Sequence, residues 1–470
     1  MAYLLGPLAV VGLWAGIGLF GVLGWVEERR GSGEKERRSG GEKVKVALLA
    51  AFFFLAGPVY QFAQNVRLVS LRDYGAAQAY VEAVFSHFAG RGEGAVLLND
   101  WEHMTPLWYA QFVEERWPDT ADIRPEFIST GGTNPWLEAI FQFLPGGPVY
   151  LSSFRPHAIA GTEFRLRPSG PFYQVVEPGD ERIAPELTPA SVRGGDIEVL
   201  GYLLPETAVT AGDFVPLTLA MRTPEGTADY YVPVVQVGNL TYEFTTDSHL
   251  ITPNWWPGEV IVERFDFALP HDLAGGNYPI TLNLKNLSQD EELSLNLDLG
   301  TLTVTPQANP PQTGHLLANF RQRVGLVKAT ADGRRAPWSE NEALHIQPGD
   351  TVNIILEWES LAKAEESYTV FVHLIDANNV PHVARDYTPL GGSTPTHLWI
   401  PKWLPGQRML DPYRLQIPPD LPPGTYFIEV GLYEMVGGRR LHLADVHGNL
   451  NGDRYILGPL LIKDRQDLQD

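Results

Sequence analysis

No charged residue interrupts Ala2–Val26 or Val46–Val66, stretches of 25 and 21 positions. A helix needs about 20 apolar residues to cross a bilayer, so the pattern predicts a transmembrane helical hairpin within residues 1–66. Pro58 is compatible with a membrane helix. Gln61, Gln64 and Asn65 give the second stretch an interfacial exit. The pattern then changes. From Asp73 to Phe88, Tyr74, Ala77, Tyr80, Val81, Val84 and Phe88 recur on one helical face. Short apolar runs at Ala95–Leu98, Ile123–Ile128 and Val149–Phe154 predict buried strands, and Phe164–Val176 predicts a closing pair. Thr105-Pro106 and Asn134-Pro135 each place a capping side chain before a proline, a helix-start signal. After the first of these, Tyr109, Phe112, Val113 and Trp117 are expected to form the apolar face, and Trp101 and Trp108 to pack beneath the preceding turn. Strand–helix alternation predicts a small α/β domain over 67–178, with a partly parallel sheet.

Beyond residue 186 the period becomes two. Val352, Ile354, Leu356 and Trp358 share a face, as do Tyr368, Val370, Val372 and Leu374, and Tyr426, Ile428, Val430 and Leu432. A repeat underlies this region. Trp255, Pro257-Gly258, Leu269-Pro270, Asp272-Leu273, Gly276 and Tyr278 recur 148 residues later, at Trp403, Pro405-Gly406, Ile417-Pro418, Asp420-Leu421, Gly424 and Tyr426. Gly212-Asp213 and Tyr231 recur 137 residues later, at Gly349-Asp350 and Tyr368. The offset difference implies an insertion in the second copy, placed near Pro389–Pro395. Duplicated modules follow: two tandem immunoglobulin-like β-sandwiches, 186–306 and 314–465, joined by the Pro-rich Pro306–Thr313. The expected fold class is thus multidomain: N-terminal transmembrane helical hairpin, small α/β domain and two such sandwiches.

Charge orients this scheme. The loop 27–45 holds seven basic residues, which places it in the cytoplasm. The lipid bilayer is then a partner through residues 1–66. Both hairpin ends and the large body are extracytoplasmic. Outside the loop, 28 basic residues face 51 acidic ones, a balance that argues against nucleic acid as a partner. The chain has no cysteine, which excludes disulfides and thiol chemistry.

Candidate chemistry concentrates where the first strand ends. Ligands favour the carboxyl ends of parallel strands, so Asp100, Glu102 and His103 form the candidate polar cluster; the plainer expectation is a capped, solvent-facing turn. Two carboxylates at a suitable separation also admit a hydrolase. Among aromatic residues near turns, Trp256 and Trp399 are the candidate glycan-stacking side chains, while Trp255 and Trp403 are expected to be structural. Asp445, Asn449, Asn451 and Asp453 are oxygen-rich, yet they match no complete calcium loop. Asn239 and Asn286 begin glycosylation sequons. The chain contains no nucleotide fingerprint and no nucleophile motif, so neither a cofactor nor a metal is expected.

Asn65, Arg72-Asp73-Tyr74, the strand Ala95–Asp100, Thr105-Pro106-Leu107-Trp108-Tyr109, Glu114 and Pro118-Asp119 together resemble a known pattern. Residues 46–178 are similar to the C-terminal region of bacterial polytopic protein O-mannosyltransferase-like membrane proteins, of the GT-C glycosyltransferase superfamily. The resemblance implies an exported domain after a membrane bundle that binds a lipid-linked sugar. The acid-bearing early loop of those enzymes has no counterpart here, so no catalytic residue carries over. The expected role is the exported part of a glycosyltransferase-like protein, either a truncated product or a reduced homologue. It would bind acceptor, glycan or other membrane subunits rather than catalyse transfer. The rival is a free-standing cell-surface carbohydrate- or protein-binding sandwich protein.

Overall fold

A computed structural model describes Tyr60 and residues 75–463, except 119–121, 130–133, 246, 340–341, 363, 365–366 and 390–404. The chain divides into two compact units, Met1–Tyr74 and Gly75–Asp470, and the described fold is the second. It corrects the expected fold class. Among its described residues the chain is mostly β-strand, arranged in several sheets, with three short α-helices. No helix among the described residues is long and apolar enough to cross a membrane, so the predicted transmembrane hairpin is without support. Apart from Tyr60, its residues lie outside the described ones. A stretch without charge permits a membrane helix but does not impose one, and the first stretch carries six glycines and Pro7.

The mixed N-terminal part opens with α1 (Ala76–Phe88), which buries Val81, Val84, Phe85 and Phe88 at helical spacing. β1 (Val96–Asn99) follows, then α2 (Trp101–Trp108), β2 (Arg124–Phe127), α3 (Pro135–Phe143), β3 (Val149–Leu151), β4 (Arg165–Ser169) and β5 (Phe172–Val176). The sheet order is β2-β1-β3-β5-β4. β1 runs parallel to β2 and β3, whereas β5 is antiparallel to β3 and β4. One apolar cluster, with Val84, Phe88, Leu97, Leu107 and Phe172, lies under α1 and α2. The other, with Leu98, Trp136, Ile140, Val149 and Leu151, lies under α3.

The next nine strands are β6 (Thr188–Gly194), β7 (Ile197–Leu203), β8 (Ala208–Thr210), β9 (Phe214–Arg222), β10 (Tyr231–Val237), β11 (Leu240–Glu243), β12 (Ile261–Ala268), β13 (Gly276–Asn286) and β14 (Glu291–Thr305). They form two sheets, β11-β10-β13-β14-β8 and β12-β9-β7-β6. Val215, Leu217 and Phe265 from one sheet meet Val235, Ile280 and Leu282 from the other in a common core, a β-sandwich-like arrangement. Then come β15 (Ala318–Phe320), β16 (Val324–Ala331), β17 (Arg334–Arg335), β18 (Leu344–Ile346), β19 (Thr351–Ser360), β20 (Tyr368–Asp376), β21 (Pro381–Tyr387), β22 (Arg408–Gln416), β23 (Gly424–Glu434) and β24 (Tyr455–Ile462). Their sheets are β21-β20-β23-β24-β18 and β22-β19-β16-β15, with β17 paired to β16. Strand for strand, this is the order of the preceding pair of sheets.

The sequence repeat is a repeat of hydrogen bonds. Thr210 N donates to Asp213 Oδ2 at 2.9 Å, and Gln347 N to Asp350 Oδ2 at 2.9 Å. Both turns hold glycine at positive φ, +88° at Gly212 and +91° at Gly349. Gly258 N donates to Thr223 O and Gly406 N to Ser360 O, each at 2.8 Å. The Tyr278 hydroxyl reaches Ala274 O at 2.8 Å, and that of Tyr426 reaches Pro422 O at 3.0 Å. The Pro389–Pro395 insertion and Trp403 lie outside the described residues, apart from Pro389.

The three parts are tied by buried polar groups. Arg165 Nε donates to Glu259 Oε1 at 2.8 Å, and Leu166 N donates to His249 Nε2 at 3.2 Å. Since His249 Nε2 accepts this hydrogen bond, Nδ1 is the ring nitrogen that carries the hydrogen, and it lies 2.7 Å from Glu263 Oε1. Asp247 is buried between His442 Nε2 at 2.7 Å and Arg321 Nη1 at 3.7 Å. Arg439 stands over the Phe154 ring, 4.6 Å from its centroid. The oxygen-rich segment around Asp445 also serves this docking. Asp445 Oδ1 accepts from the backbone of His447 and Asn449, and Asn449 Oδ1 then accepts Thr241 N at 2.8 Å.

Candidate functional site

Asp100 follows β1, at the carboxyl end of the parallel strands. Its extended backbone and side-chain oxygen cap α2: Oδ1 accepts His103 N at 3.0 Å and faces His103 Nδ1 at 2.7 Å. Oδ2 pairs with Arg155, a buried guanidinium stacked 4.0 Å above the Trp136 ring. Burial opposes ionisation of Asp100, yet the His103 hydrogen bonds and the Arg155 charge outweigh it and hold the carboxyl down at about 2. Next to it, Asn99 is fully buried; it accepts the Tyr80 hydroxyl and donates to Leu97 O at 2.7 Å. Burial, then the Asp100 charge, pushes the Tyr80 phenol well above its ordinary value. Tyr80 also meets the His103 ring edge-on at 4.6 Å.

Asp100 and His103 therefore come together, while Glu102 sits exposed in the first turn of α2. The arrangement is a clamp. A general acid must hold a proton near neutrality, and a carboxyl at about 2 does not. Arg155, Tyr80 and Trp136 complete the clamp from distant sequence. Their only sequence signal is an isolated arginine after the third apolar run.

α2 begins five residues earlier than the Thr105-Pro106 signal suggests. Thr105 Oγ1 instead donates to Trp101 O within the helix, and Pro106 lies inside it. After Trp108 the helix widens into a π-type turn, Tyr109–Val113, with Glu114 N bonded to Tyr109 O at 3.1 Å. Of the expected apolar face only Trp117 packs inward, against Phe85. Met104, Leu107 and Ala110 are buried, whereas Trp101, Tyr109, Phe112 and Val113 are 62%, 55%, 68% and 64% exposed. Phe127, from the edge strand β2, packs against Trp101 and Trp108, each at 5.8 Å between centroids.

The other aromatic candidates separate clearly. Trp255 is buried, its Nε1 donating to Leu250 O at 3.0 Å. Trp338 is buried too, bonded to Pro459 O. Trp256 is 44% exposed at a Pro-Gly turn, with one ring edge facing Gly179. Trp399 lies outside the described residues. Of the two sequons, Asn239 is exposed, but Asn286 is buried and bonded to Asp229, Ser288 and Gln289. No group of three or more metal-ligating side chains occurs among the described residues.

No family model and no curated protein matches the chain. Among solved structures, a Niemann-Pick type C2 protein from Japanese carpenter ant aligns at 7% identity and TM-score 0.20, over 25% of this chain and 99% of that one. A putative membrane anchored protein from Corynebacterium diphtheriae aligns at 11% identity and TM-score 0.17, over 63% of this chain and 68% of that one. The native conformation of E. coli alpha-2-macroglobulin aligns at 10% identity and TM-score 0.16, over 63% of this chain and 17% of that one. Similarity this low bears on neither fold nor function.

Proposed function

We propose that this chain is an extracytoplasmic, non-catalytic glycan-binding protein, related to the exported part of GT-C-type, protein O-mannosyltransferase-like proteins. In this reading its two β-sandwich-like domains are immunoglobulin-like modules that present the ligand site. The observation that carries the reading is the exposed indole of Trp256, held at a Pro-Gly turn beside the fully packed Trp255. An indole face fixed by its backbone and open to solvent suits stacking on a sugar ring. The Asp100 clamp supports binding over catalysis, because its carboxylate is committed to His103 and Arg155. The acidic surface favours neutral glycans over anionic ones.

A glycan array with the full chain tests this. Signal on neutral glycans is expected to fall at least about tenfold with Trp256→Ala, the loss of roughly 1.4 kcal/mol. Signal unchanged by that substitution, or absent from the wild type, refutes the assignment.

A further inference from the structure

The outer face of α2 breaks the rule for a surface helix. Its inner positions, Met104, Leu107 and Ala110, are buried as they should be, yet the outer positions carry aromatic and aliphatic side chains where charge is expected. Trp101, Trp108 and Phe127 pack ring against ring up to the sheet edge, and Tyr109, Phe112 and Val113 carry exposed apolar side chains on through the π-type turn. Exposed apolar groups gathered this way mark an interaction site, and a π-type turn commonly accompanies function.

We infer that this surface docks onto the interface of a zwitterionic lipid bilayer. Three observations select that occupant. First, tryptophan and tyrosine dominate the patch with phenylalanine, the side chains that favour the headgroup boundary, where one end is apolar and the other wet. Second, the flanking charge is acidic. Glu102, Glu114 and Glu115 border the patch, and Arg116 is already engaged by Glu82 and Glu114. This surface is repelled by anionic headgroups and leaves apolar burial as the driving force. Third, the chain enters the unit at α1, on the same side of the sheet as α2. It is preceded by 74 residues containing two long stretches without charge. Those uncharged stretches are rich in apolar residues and add to the tendency of the chain to partition toward lipid.

The absence of cysteine makes the test direct. Phe112→Cys in the full chain, labelled with an environment-sensitive fluorophore, is mixed with phosphatidylcholine vesicles containing a lipid-borne quencher. Asp290→Cys, on an exposed turn of the first pair of β-sheets, is the control. The label at 112 is expected to be quenched at least about threefold more than the label at 290, and to lose that excess when Trp101→Glu is added. Replacing part of the phosphatidylcholine with phosphatidylserine is expected to reduce the quenching. Equal quenching at both sites overturns the proposal. So does protection of residue 112 without lipid that grows with protein concentration, which identifies a second copy of the chain as the occupant. Protection by an oligosaccharide overturns it as well. All these substitutions are at exposed positions, and Trp256 is untouched, so this test and the glycan test fail independently.

Discussion

Asp100 shows how one side chain serves two structures. It caps α2 and neutralises a buried arginine, so its removal breaks both. Asp100→Ala is expected to cost roughly 3–5 kcal/mol, because the buried Arg155 loses its ion pair with Asp100, with the lost cap contributing about 1 kcal/mol of it. Urea denaturation of the two proteins measures this. His373 makes stability depend on pH. Its Nδ1 faces Glu429 Oε1 at 2.8 Å and its Nε2 faces Asp386 Oδ1 at 2.6 Å. Burial lowers its affinity for a proton, but the hydrogen bonds to Glu429 and Asp386 prevail and the folded value is raised. Stability from this group is complete below the ordinary value near 6.5 and is lost as pH climbs through the raised one. The urea midpoint difference between wild type and His373→Gln is expected to be larger at about pH 6 than at about pH 9. At this scale the sequence was only partly legible. Asp100–His103 is visible because three residues bring a cap together, whereas Arg155 arrives from 55 positions away, a pairing that only the parallel sheet creates.

Elements were easier to anticipate where chemistry repeats. The Gly-Asp and Pro-Gly turns were legible because each needs a specific backbone, glycine at positive φ or an aspartate accepting a backbone N–H. Duplicate turns then announced duplicate sheets. The face of α2 was not legible, since apolar periodicity reports a cluster of apolar residues without saying whether anything covers it; Pro106 and the π-type turn shift the inner stripe to Met104, Leu107 and Ala110. The uncharged N-terminal stretches misled for a related reason, being a length criterion alone. The paired turns offer a comparative measurement. An added methyl at Gly349 meets nothing within 4 Å, while at Gly212 it falls 2.3 Å from His271 Nδ1. Gly349→Ala is expected to cost about 1 kcal/mol from left-handed strain alone, and Gly212→Ala about 1–3 kcal/mol more from the collision. Parallel urea titrations of the two variants check the difference.

Across the whole described unit, buried charges set cooperativity. Asp247 is buried against His442 and Arg321, which come from the other pair of β-sheets. Asp247→Ala is expected to destabilise by roughly 3–5 kcal/mol and to split one calorimetric unfolding transition into two as the two sheet pairs uncouple. A single transition at the wild-type temperature contradicts this. The joint was invisible in the sequence because its members are scattered over nearly 200 positions and carry no motif. It also has a direction. His271, just after the repeated Leu-Pro step, reaches forward to Gln322 O at 2.8 Å. The position 148 residues further on is Pro419, whose ring has no hydrogen-bonding group to extend. The first copy grips its successor, but the second carries no hook at that place. The repeat is therefore a pair with polarity: histidine at this position in one copy and proline in the other confine this mode of coupling to the first.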